Sequence, residues 1–170
     1  MMNLSFRTKL ILGFGVLLVI LSFFGWKLNQ VLRDSEHDTQ LITHTHEVLE
    51  LLQEIQTTMI SIQTGERGYV ITANEKFLEP FHAGSKRISY LLDSLRLLSA
   101  DNQRQHRNTD TLNILVQSKL NFVADVIRVL KDSGRDSSVN KIRSGVGKQS
   151  MAGVQRLIEK MKQEEKLLLY

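Results

Sequence analysis

From residue 41 onward the apolar residues fall three and four apart, and no segment alternates apolar and polar side chains for long enough to make a strand. That spacing confines the chain to helices that each bury one stripe. The first stripe runs through Leu41, Val48, Leu52, Ile55, Met59 and Ile62, with Glu47, Glu50 and Glu54 on the wet side. The second runs through Phe77, Phe81, Gly84, Ile88, Leu91, Leu95 and Leu98, and the third through Leu112, Leu115, Phe122, Val126 and Val129. A fourth carries Val139, Ile142, Val146, Met151, Val154, Ile158, Met161 and Leu168. Lys119 falls on the third stripe, where it either pairs and specifies register or snorkels its ammonium to water; the long stem favours snorkelling.

Punctuation between the stripes sets the connections. Gln63 to Asn74, QTGERGYVITAN, holds Gly65 and Gly68, which predict a break in the first helix. Asn74 then caps a second helix starting near Glu75, Phe77 opens its apolar stripe, and Pro80 bends its second turn. Ser99 to Asn108 is a polar reversal with Ser99 or Asp101 as the next cap, and Asp132 to Ser138 supplies another turn. Four helices on short connections predict an all-α antiparallel up-down four-helix bundle over 28–170, in which the fourth helix returns to the end where the first began.

Ahead of the bundle, Leu10 to Trp26 carries no charge and is bracketed by Lys9 and Lys27. As a helix it spans roughly 26 Å, close to the ~30 Å of bilayer hydrocarbon, with both lysines able to reach headgroups. Phe-Phe-Gly-Trp-Lys is a poor signal-peptidase site, so the expectation is an uncleaved anchor at 10–26. Arg7 and Lys9 before it favour residues 1–9 in the cytoplasm, which would put the bundle outside the inner membrane. Neither glycine nor proline intervenes between Trp26 and Thr64, so the anchor is expected to be continuous with the first bundle helix.

The chemistry-bearing residues are sparse. With no cysteine there is no disulfide, thiolate nucleophile or cysteine-ligated zinc. The five histidines do not share a face with carboxylates at metal-ligand spacing, so neither a metal nor a cofactor is expected. GVGK at 145–148 lacks both the upstream glycine and the Ser or Thr of a phosphate loop. Residues 1–85 hold six Lys and Arg against nine acids, and residues 86–170 sixteen against nine. That excess is spread along helix surfaces without interleaved aromatics, which argues against nucleic-acid binding. Glu164 and Glu165 diverge on a helix and read as solvated, and no set of residues supports catalysis.

The segment QTGERGYVITANEKFLEPF resembles the signature of the CHASE-type extracellular sensor domains, third class, of bacterial sensor histidine kinases and related receptors. Leu112, Leu115 and Lys119, and the later GKQSMAGVQRLIEKMKQEE, are similar to the same family, so the resemblance covers about residues 38–168. It implies an extracytoplasmic four-helix sensor coupled to a cytoplasmic output, with the stimulus, a small molecule or a protein, undefined. This chain would then be the input part of such a receptor, without a catalytic domain of its own, in the bilayer and paired with a second copy through its membrane and stalk helices. Gln63, Gly65, Glu66, Arg67, Gly68 and Tyr69 are the candidate signal-input or turn residues. The alternative is a membrane-anchored helical protein that pairs with or modulates receptor subunits.

Overall fold

The computed structural model describes the backbone of residues 6–167 and the side chains of 14–15, 17–27, 29–30 and 41–167. It divides into two units, Met1–Thr43 and His44–Tyr170. Four helices account for nearly all of it: α1 (Phe6–Thr72), α2 (Glu79–Leu98), α3 (Gln103–Arg143) and α4 (Val146–Lys166), with a 3-10 turn at Glu75–Leu78 ahead of α2. In the first unit the described apolar side chains are exposed, Val19 at 70%, Phe24 at 66% and Trp26 at 62%. The expected anchor at 10–26 includes residues 10–13 and 16, whose side chains lie outside the described residues. Among the described residues no helix is long and apolar enough to cross a membrane.

The second unit is built on four seams. Val48, Leu52, Ile55, Met59 and Ile62 of α1 meet Ile88, Leu91, Leu92 and Leu95 of α2, Leu112, Val116, Leu120 and Val123 of α3, and Met151, Val154, Ile158 and Met161 of α4. Side-chain bonds fix the directions. Arg87 of α2 grips Glu54 of α1 with Nε to Oε1 at 2.6 Å and Nη2 to Oε2 at 3.0 Å, while His44 meets the Leu98 carbonyl at 3.0 Å, so α1 and α2 run antiparallel. Lys162 of α4 donates to Gln53 and Gln56 of α1 at 2.7 and 2.8 Å, and Asn108 of α3 donates to Glu164 of α4 at 3.0 Å. The bundle is therefore up-down-up-down, and His44 and Glu165 share one end.

Three connections differ from the sequence expectation. Gly65 and Gly68 do not break α1, which continues helically to Thr72 and stops only where Ala73 turns left-handed at φ 56°. Both glycines serve close approach: a Cβ on Gly65 would collide with the Phe77 carbonyl oxygen, and one on Gly68 with the Phe77 ring. Pro80 does not bend α2, because Asn74 caps the 3-10 turn instead, accepting from Lys76 N at 3.0 Å, and α2 starts at Glu79. Pro80 then occupies the first turn, where an absent amide costs no helical bond.

The third difference lies in the return from α3 to α4. The chain does reverse at Gly134, φ 79°, within the expected Asp132 to Ser138 turn. Its return is split, however: residues 135–143 form a short helical piece, and Gly145 at φ 78° begins α4 at Val146, so Val139 and Ile142 belong to a separate arm. Lys141 folds back onto Asp125, which also pairs with Arg128. The cap of α3 is Asn102, accepting from Arg104 N and Gln105 N at 3.1 and 3.2 Å, rather than Ser99 or Asp101. Leu168 lies outside the described residues.

Replacing Gly65 by Ala should destabilise the bundle by about 1–3 kcal/mol, since the backbone oxygen it meets cannot rotate away. Gly153→Ala, whose nearest neighbour would be Leu115 at an ordinary 3.5 Å, should instead stabilise by up to ~1 kcal/mol through helix propensity. Urea unfolding of the two variants, followed by circular dichroism, checks the opposite signs.

Candidate functional site

The α1 seam does not end at Ile62. Continuing by four and three residues it reaches Glu66 and Tyr69, both buried, at 3% and 4% exposure. Opposite them the α3 seam, Leu112, Val116, Lys119, Val123 and Val126, carries one charged member. Lys119 does not snorkel. It is 1% exposed, donates from Nζ to Glu66 Oε2 at 2.9 Å, and lies 5.1 Å from the centre of the Phe122 ring. At this distance the ammonium and the carboxylate satisfy each other, and removing either would leave the other buried without a partner.

This pair forms the floor of a cavity of about 220 Å³ bounded by α1, α3 and the start of α4. Gln63 and Arg67, each one residue past a seam position and so on the same flank of it, line its α1 wall, and Phe122 and Ile142 supply apolar surface. Arg143, Gly145, Gly147 and Lys148 close it across the elbow between the short arm and α4. Gly147 permits the closure, because a side chain there would strike the Phe122 ring. Of the expected input residues the structure gathers Gln63, Glu66 and Arg67 here with Lys119; Gly65 and Gly68 instead seat Phe77, and Tyr69 packs into the core.

Arg143 and Lys148 were not expected at the site. They come from the elbow at Gly145, a second break after the expected turn at Gly134 that no turn signal was read for. The signal for Glu66 was present, however: its spacing from Ile62 continues the seam, and it finds a cation at the one charged seam position of α3.

A second polar layer closes the opposite end. Glu165 is 3% exposed, contrary to the solvated reading, because it extends the α4 seam four residues beyond Met161. Burial pushes its carboxyl above the ordinary glutamate range, partly offset by His44, with Asp101 and Glu164 adding repulsion. Neither Glu165 Oε2 nor Gln105 Oε1 has a hydrogen-bond partner among the described residues. Gln105 Nε2 donates to the Met161 carbonyl at 3.3 Å, and its side chain also acts against the upward push on Glu165. Beside it Ser99 and Thr109 share a buried hydrogen bond at 3.3 Å.

Removing one member of the distal pair, Lys119→Met, should cost about 3–5 kcal/mol by stranding Glu66, whereas Lys119→Met with Glu66→Met should restore stability to near or above the parent in denaturant titrations. For Glu165 the folded state holds its proton more tightly than the unfolded chain, so stability falls as pH rises from the ordinary glutamate value of about 4.3 through the raised one. Glu165→Gln should therefore raise the melting temperature at pH 7–8, and the gain should vanish near pH 4 in thermal melts across that range.

Comparison with known proteins completes the description of the site. The crystal structure of the sensor domain of the histidine kinase HK9 from Rhodopseudomonas palustris is similar, with a TM-score of 0.68 and 19% identity over 73% of this chain and 97% of that one. At such identity the likeness speaks to the fold. No curated protein matches the chain. The family model described as the CHASE3 domain matches residues 38–170, from the end of the first unit through the whole four-helix bundle with both its polar layers, and the chain belongs to that family.

Proposed function

We propose that this chain is the extracytoplasmic sensory input module of a bacterial transmembrane receptor of the histidine-kinase type, anchored by residues 10–26 and relaying a stimulus by displacement of α1. The observation that carries the reading is the placement of the input residues: Gln63, Glu66 and Arg67 sit on α1 itself, around a cavity whose other wall belongs to α3 and α4. Anything that alters the packing across that cavity acts directly on α1. A two-state bundle needs a difference of only a few kcal/mol between packings to respond.

The anchor rests on the uncharged run from Leu10 to Trp26 and on the exposed Leu17, Val19, Phe24 and Trp26, which have nothing apolar to cover them in water. The chain pairs with a second copy through the membrane helix and the stalk that follows it. Two measurements test the two parts: a periplasm-active phosphatase joined after Tyr170 should be active, and single cysteines placed at 31–41 should give disulfide dimers. An inactive phosphatase overturns the outward placement, and absence of a dimer at every stalk position overturns the pairing.

A further inference from the structure

The cavity above Lys119 has a charge pattern that its structural role does not use. Arg67 of α1, Arg143 of the short arm and Lys148 of α4 converge on it from three elements, and none of the three has an acidic partner among the described residues. The single acid of the lining, Glu66, is already engaged by Lys119 at 2.9 Å. The remaining charge is therefore a surplus of three cations facing one space. Other exposed cations of the bundle do find acids, Arg87 with Glu54, Arg96 with Asp110 and Arg128 with Asp125, and what sets the cavity apart is that three unpaired ones line a single space.

The other wall points to what the cations would hold. Phe122 and Ile142 are half-buried beside them, so the cavity pairs an apolar surface with a cationic one. An inorganic anion would use only the second. Two guanidiniums present forked donors that match a carboxylate. At about 220 Å³ the space suits a molecule of a few heavy atoms rather than a peptide.

We propose that this cavity binds a small organic carboxylate, its carboxylate held between Arg67, Arg143 and Lys148 and its apolar body against Phe122 and Ile142. The inference rests on the sensory reading for its purpose, though its geometry stands apart from it. Because Arg67 belongs to α1 and the other two cations to the elbow, the bound acid ties α1 to the α3–α4 return.

The test uses the full chain in zwitterionic detergent, titrated calorimetrically with butyrate, benzoate and inorganic phosphate. Expected is saturable binding of at least one of the two acids, weakened about tenfold or more by Arg143→Gln and by Arg67→Gln, and unchanged by Lys86→Gln on the exposed face of α2. Phosphate binding as strong as that of the acids, binding indifferent to Arg143→Gln, or no binding of either acid overturns the proposal. A second readout separates it from the sensory reading. Trp26 is the chain's single tryptophan and lies on α1, so relay through α1 should change its emission on titration. Specific binding with a constant Trp26 signal upholds the site and overturns the relay.

Discussion

The contact between Lys119 and Glu66 constrains the bundle more than any apolar pair in it. Both residues occupy seam positions that would otherwise hold leucine or valine, and each is tolerated only because the other is there. Apolar seams can slip past one another with modest loss, since one leucine fills much the same hole as the next. A buried ion pair cannot. With Glu66 fixed against Lys119, the heights of Ile62 on α1 and Val116 and Val123 on α3 are fixed as well, and the packing of α4 follows from theirs.

At the other end the layer containing Ser99, Gln105, Thr109 and Glu165 works differently. Its members are buried and mostly hydrogen-bonded, yet Glu165 and Gln105 each leave an acceptor oxygen without a donor. The apolar core thus lies between one polar layer that is satisfied and one that is not. Satisfied buried networks rigidify, whereas an incomplete one holds less tightly and responds to a single proton.

Much of this architecture was legible in the spacing of the apolar residues, because a helix that buries one stripe must repeat every three or four positions whatever its partners are. Val48 through Ile62, Ile88 through Leu95 and Met151 through Met161 lie in the core where that rule puts them. The departures occurred where local preference and tertiary packing disagree. Gly65 and Gly68 weaken an isolated helix, but here the space they leave is filled by Phe77, and the buried pair next to them holds the helix together. Pro80 looked like a bend only while the helix start was placed four residues too early. Lys119 and Glu165 were assigned to solvent by residue type, although their positions on the seams place them inside; for a charged residue the partner decides, and partners distant in sequence are invisible to periodicity. Gly145 was weighed only within GVGK as a phosphate loop, because a left-handed glycine more often ends a helix than opens one, and here it opens α4.

The paired charges also set a scale for motion. Sliding α1 along its axis by one turn, about 5.4 Å, would carry Glu66 from Lys119 to the level of an apolar neighbour and strand both charges. The bundle consequently has no second resting place one tooth along. Movements of α1 that keep the pair intact are fractions of a turn: a tilt, a small rotation, or an axial shift within the reach of a lysine stem. Lys119 in this sense is a tether of fixed length, and the stroke available to the helix is the slack in that tether.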